Sequence, residues 1–112
     1  MEKPEIVAAL ASLAHEHQLD VFRLLVQAGA GGLSASEIGD RLALPVPTLA
    51  STLVRLKQGG LVTSRNGAAS IVYVANHDVT NKLLSYLVTN FQVVAGLLDG
   101  TEPAPKTADK RR

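Results

Sequence analysis

The sequence predicts a mainly helical chain carrying one small β-hairpin, and three observations predict it. Apolar residues recur at helical spacing from Ile6 to Leu56. The pattern then changes period in two runs, Leu61–Arg65 and Ser70–Ala75, rich in Val, Ile, Thr and Tyr. Helical spacing returns over Val79–Leu98. A chain of 112 residues has room for one domain, which we place at 1–98, with 99–112 as a disordered tail.

The elements follow in order. Pro4–Ala14 carries Ile6, Leu10 and Leu13 at helical spacing, with Pro4 and Glu5 suited to the first turn. His17–Ala28 forms a second amphipathic helix through Leu19, Phe22, Leu25 and Val26, and the glycines after it end it. Ser34 and Glu37 stand three apart as a capping box, with Leu33 and Ile38 as the hydrophobic staple around it. A short helix to Leu42 follows. Ala43-Leu44-Pro45 is a tight connection, because the residue before proline avoids helical geometry.

The next helix spans 46–58, with Pro47 tolerable in its first turn and Leu49, Leu53 and Leu56 as its apolar stripe. Hairpin 61–75 follows, and Asn66-Gly67 favours a tight turn within it. The last helix, Val79–Leu98, is apolar around a wide arc that includes Leu84, Leu87 and Phe91. The tail 99–112 has charged residues and prolines but no large apolar side chain.

Composition narrows the function. With no cysteine, disulfides, thiolate metal sites and cysteine nucleophiles are excluded. No apolar run reaches the length of a membrane span and MEKPEIV has no signal-peptide core, so a cytoplasmic protein is expected. No phosphate-binding glycine loop or nucleophile elbow is present, and the glycines at 29, 31 and 32 follow a helix where a dinucleotide fingerprint needs a strand. An enzyme is not expected, and no cofactor.

Two short helices joined by a tight turn and followed at once by a hairpin is the layout of a winged helix-turn-helix. There the second helix of the pair enters the major groove of double-stranded DNA, with the hairpin beside it as the wing. Opposite the leucines of helix 46–58 we expect Thr48, Ser51, Thr52 and Arg55, hydroxyls and a guanidinium suited to phosphates and base edges. Lys57 of the same helix, and Arg65 at the wing, complete the expected DNA-binding set. Ile6, Leu10 and Leu13, with Leu84, Leu87 and Phe91, give apolar faces that a second subunit would cover. A two-fold dimer would place its reading helices about 34–36 Å apart, on an inverted-repeat operator.

The ordered stretches ALASLAHEHQLDVFRLLVQAG, LSASEIGDRLALPVPTLASTLVRLKQGGLVTSR and SIVYVAN resemble the ArsR/SmtB family of winged-helix repressors. The resemblance implies a homodimer formed through the first and last helices, and repression relieved by an effector that the sequence does not identify. It also marks departures. The family usually has Thr-Arg at His17-Gln18, often a histidine at Thr52, and more arginine in the wing than Asn66-Gly67-Ala68-Ala69 supplies. Over Ser34–Ala75 the cations are Arg41, Arg55, Lys57 and Arg65, against Glu37 and Asp40. Help from the tail cations Lys106, Lys110, Arg111 and Arg112 is one way to strengthen so thin a footprint, and a module for protein contacts with weak DNA affinity is the alternative function.

Metal-sensing members of that family use cysteines, or His and carboxylates on the last helix. Here His77 and Asp78 stand at its start, but Lys82–Leu98 has no His, Asp or Glu, so no metal site is expected there. His15 and His17 are two apart and point in different directions on a helix. They suit a polar helix junction, and a metal held across two subunits is the other use open to them.

Overall fold

The computed structural model describes residues 1–91. A first compact unit covers Met1–Asn81 and a second starts at Lys82. That boundary lies inside the expected domain 1–98; residues 92–98, the tail 99–112 and its cations Lys106, Lys110, Arg111 and Arg112 lie outside the described residues.

The described elements are α1 (Lys3–Ala11), α2 (Glu16–Ala28), a 3₁₀ turn (Gly29–Gly31), β1 (Leu33–Ser34), α3 (Ala35–Leu42), α4 (Val46–Gln58), β2 (Val62–Asn66), β3 (Ile71–Ala75) and α5 (His77–Phe91). The mainly helical fold with a small antiparallel sheet is as the sequence predicts, and α4 has the expected bounds. Local caps fix the helix starts. His15 Nδ1 accepts the His17 N–H at 3.1 Å, so α2 begins one residue earlier than its apolar stripe suggests. Asn76 Oδ1 accepts the Val79 N–H at 3.2 Å and starts α5 at His77.

The Ser34–Glu37 capping box forms in full. Glu37 Oε1 accepts the Ser34 N–H at 2.9 Å, and Ser34 Oγ accepts the Glu37 N–H at 3.2 Å. The Ser34 backbone N–H, then its hydroxyl, and the charge of Arg41 hold the Glu37 carboxyl below its ordinary value of 4.5. A depressed folded pKa adds stability above the unfolded pKa, and that stability is lost as pH falls through the folded value. Denaturation midpoints of the native chain and Glu37→Gln should therefore differ at neutral pH and converge as pH drops below about 4.5. A gap that stays constant on acidification would show that the box does not act through the carboxylate.

The sheet has the order β1-β3-β2, antiparallel throughout. Leu33 pairs with Tyr73 on one edge, and Val62 pairs with Ala75 on the other. The third strand, β1, is not anticipated by the hairpin pattern. It needs Gly32, whose φ is +65° and where an added Cβ would lie 2.5 Å from the Tyr73 carbonyl oxygen. The wing connection is also longer than a two-residue Asn-Gly turn. Pairing of Asn66 with Ile71 leaves 67–70 as the loop, closed by the Gly67 N–H donating to Ser70 O at 2.8 Å.

The core of the first unit gathers Val21 and Leu25 of α2, Leu33, Ile38 of α3, Leu49, Leu53 and Leu56 of α4, Val62 and Ala75. On α2 the buried line is Gln18, Val21 and Leu25. Leu19 and Val26, expected on the apolar face, are exposed, because the helix packs on the core through the line of Gln18, Val21 and Leu25 instead. Gln18 is kept inside by its Nε2 donating to Ser12 O at 2.7 Å.

Candidate nucleic-acid interface

The connection between α3 and α4 is tight because Ala43 takes a left-handed conformation, φ 54° and ψ 43°, with its N–H donating to Gly39 O. Pro45 is extended at φ −61° and ψ 149°, and α4 starts directly after it. Pro47 sits in the first turn, where no intrahelical N–H donation is needed. No side chain caps this end of α4, which leaves the positive end of its dipole to solvent.

Burial of Leu49, Leu53 and Leu56 decides which side of α4 faces out. Pro47, Ala50, Ser51, Val54, Arg55 and Gln58 are exposed and form one open surface. Ser51 and Arg55 therefore lie where the sequence places them. Thr48 is half-buried. Thr52 is not on this surface: it is 4% exposed, and its hydroxyl donates to Thr48 O at 2.7 Å. Thr52 stands three residues after Leu49 and four before Leu56, which sets it at the edge of the leucine stripe. The exposed Ala50, Val54 and Gln58 are absent from the expected set. Their signal is their position opposite the leucines, which hydropathy conceals for alanine and valine.

Lys57 and Arg65 are exposed and already engaged. Lys57 Nζ donates to Ser64 Oγ at 2.9 Å, tying α4 to the wing strand β2. Arg65 Nη2 donates to Gly31 O at 3.3 Å, which holds the guanidinium against the 3₁₀ turn.

A cleft of about 600 Å³ brings His15, His17 and Gln18 beside Thr48, Ser51 and Arg55. The two imidazole rings stand 5.1 Å apart, centre to centre. The polar helix junction is thus also the flank of the α4 surface, a juxtaposition that spacing along the chain does not reveal. His77 is exposed at the start of α5. Among the described residues, no group of three or more His, Cys, Asp or Glu side chains is placed to hold a metal ion.

The residues expected at a dimer contact divide. Leu10, Leu84 and Phe91 are exposed, at 42%, 53% and 65%. Leu87 is half-buried. Ile6 is 3% exposed, so it offers no surface to a partner, and Leu13 packs against the core. Val7 on α1 and Val88 on α5 are exposed apolar residues that the expected set lacks.

A helix-turn-helix domain family model matches residues 13–65, from the α1–α2 junction into β2. Over 96% of both chains the fold matches an ArsR-like transcriptional regulator from Rhodococcus sp. RHA1, with a TM-score of 0.70 and 24% identity. The chain carries a helix-turn-helix domain and has the fold of ArsR-like transcriptional regulators. The transcriptional repressor BigR from Xylella fastidiosa is 27% identical, with a TM-score of 0.60 over 79% of this chain and 87% of that one. The homodimeric winged helix-turn-helix domain Mb0332 from Mycobacterium bovis gives 0.64 at 22% identity, over 90% and 88%. No match was found among curated protein sequences. These solved neighbours are described as a transcriptional regulator, a transcriptional repressor and a DNA-binding domain. No described helix is long and apolar enough to cross a membrane.

Proposed function

We propose that this chain is an ArsR-type homodimeric repressor that binds an inverted-repeat operator, with α4 in the major groove and the hairpin as its wing. The observation that carries this reading is the outward surface of α4, where Ser51, Arg55 and Gln58 stand together on a helix whose opposite side is locked into the core. A guanidinium can bind guanine through two hydrogen bonds, and hydroxyl and amide groups reach phosphates and base edges. His15 and His17 extend the same surface past the cleft. The dipole of α4 favours a phosphate at its uncapped end.

Dimerisation is supported by uncovered apolar residues on two elements: Val7 and Leu10 on α1, and Leu84, Val88 and Phe91 on α5. Repression and the dimer also agree with the descriptions of BigR as a repressor and of the Mb0332 domain as homodimeric. Such a regulator works in the cytoplasm, where its operator lies, and its effector is not identified by these residues.

The test is titration of the purified chain onto its own upstream intergenic DNA at two salt concentrations, alongside sedimentation at micromolar protein. The expected result is a dimer whose sequence-preferring affinity falls steeply with salt, because each phosphate contact releases a counterion. A monomer at that concentration would overturn the two-fold geometry. Binding that is absent at low salt would overturn the repressor reading in favour of protein contacts.

A further inference from the structure

We propose that Val46, Ala50 and Val54 read thymine methyl groups in the major groove; the proposal rests on the DNA-binding reading above and adds the base being read. The three recur at four-residue steps and so form one row along α4. Val46 is 79% exposed and Val54 53%, with Ala50 exposed between them. The row is one wall of an open groove, with Gly39 and Asp40 of α3 and Tyr73 of β3 on its far side.

Neither solubility nor helix stability explains valine at these positions. A solvated helix face is ordinarily polar, and valine is a poorer helix former than lysine or glutamine. The row is continuous with the polar surface formed by Ser51, Arg55 and Gln58, since Ala50 and Val54 belong to both. Thymine presents the one apolar group among the base edges of the major groove, and small apolar side chains contact it. Val46 lies in the first turn of α4, the end of a reading helix that meets base edges in helix-turn-helix docking. Lys57 lines the same groove and opposes the charge of Asp40. A protein partner fits less well. Two valines and an alanine are a small part of the about 800 Å² that each side of a stable protein interface buries.

The geometry also limits where the methyl groups can lie. Eight residues of helix span about 12 Å, or three to four base-pair steps at about 3.4 Å each. Methyl-sensitive thymines are therefore confined to a window of about four base pairs in each half-site.

The experiment begins by selecting a binding sequence from random duplex DNA with the full chain. Each thymine is then replaced in turn by deoxyuridine, which removes the methyl group and keeps the hydrogen-bonding edge. We expect affinity to fall about three- to fivefold per methyl at one or two thymines within that window. In Val46→Ala or Val54→Ala, the penalty at one of those thymines should disappear. Both side chains are exposed, so these variants keep the core intact. A selected sequence indifferent to deoxyuridine throughout would overturn the proposal and leave DNA binding standing. So would a valine variant that weakens thymine and deoxyuridine sites equally. Failure to select any sequence would overturn the DNA-binding reading itself, and this proposal with it.

Discussion

Replacing Ser51 and Arg55 together by alanine should lower operator affinity at least about thirtyfold while leaving the fold and the dimer intact. Both side chains are exposed on α4 and neither belongs to the core. One arginine–guanine pair is worth about 1–3 kcal/mol of discrimination, and the proposed dimer forfeits two such pairs. Fluorescence anisotropy on labelled operator at fixed salt measures the drop, and sedimentation checks the dimer. The salt series then separates the two uses of Arg55. An arginine on a base edge sets sequence preference, so its removal relaxes that preference and leaves the salt slope nearly unchanged. An arginine on a phosphate serves all sequences alike, so its removal weakens them equally and reduces the slope by about one for each phosphate left unneutralised. Unchanged affinity in the double variant would move the reading surface off this side of α4. Thr52→Ala alone should act differently, because its hydroxyl faces its own helix and serves packing.

The second large effect falls on stability. Leu56 is fully buried on α4 and belongs to the cluster that joins α2, α3, α4 and the sheet. Leu56→Ala removes three carbons from a site with little freedom to collapse, a change that costs about 2–5 kcal/mol. Against a total of about 5–15 kcal/mol, that is a large fraction. Thermal unfolding should move down by roughly 10–30 °C for a domain of this size. Below the new transition, operator affinity should remain within about twofold of the native chain, since Leu56 offers no atom to DNA. A melting shift of only a few degrees would show that α4 is not held by this leucine.

The parts of the fold written in adjacent residues are legible in the sequence itself. Ser34 with Glu37, Pro45 and Pro47, and the glycines at 59 and 60 mark α3 and α4 by local chemistry alone, and both helices form there. What the sequence conceals depends on contacts between distant segments. β1 is two residues long and exists because Leu33 and Ser34 meet Tyr73 and Val72. The wing register is set by burying Val62 opposite Ala75, and this leaves four residues in the loop whatever the preference of Asn66-Gly67.

The candidate site shows the same division. Arg55 and Ser51 are legible from helical spacing. Thr52 is not, because it lies about 60° around the axis from Leu49 and its polarity suggests the wrong side. Val46 and Val54 mislead in the opposite direction, being apolar and exposed. The place of His15 and His17 beside α4 depends on how the α1–α2 junction packs, which no spacing along the chain encodes.

Gly59, at the end of α4, carries a mechanical consequence. A Cβ there would collide with the Ser12 side chain and lie 2.9 Å from the Ala8 carbonyl oxygen. At this point the backbone of α4 meets the end of α1 with no side chain of its own between them. A side-chain cushion can absorb a small displacement by changing rotamer, but a bare backbone against a buried, hydrogen-bonded serine cannot. The end of α4 therefore has no room to move toward the end of α1. The first helix acts as a stop against tilting of α4 in that direction.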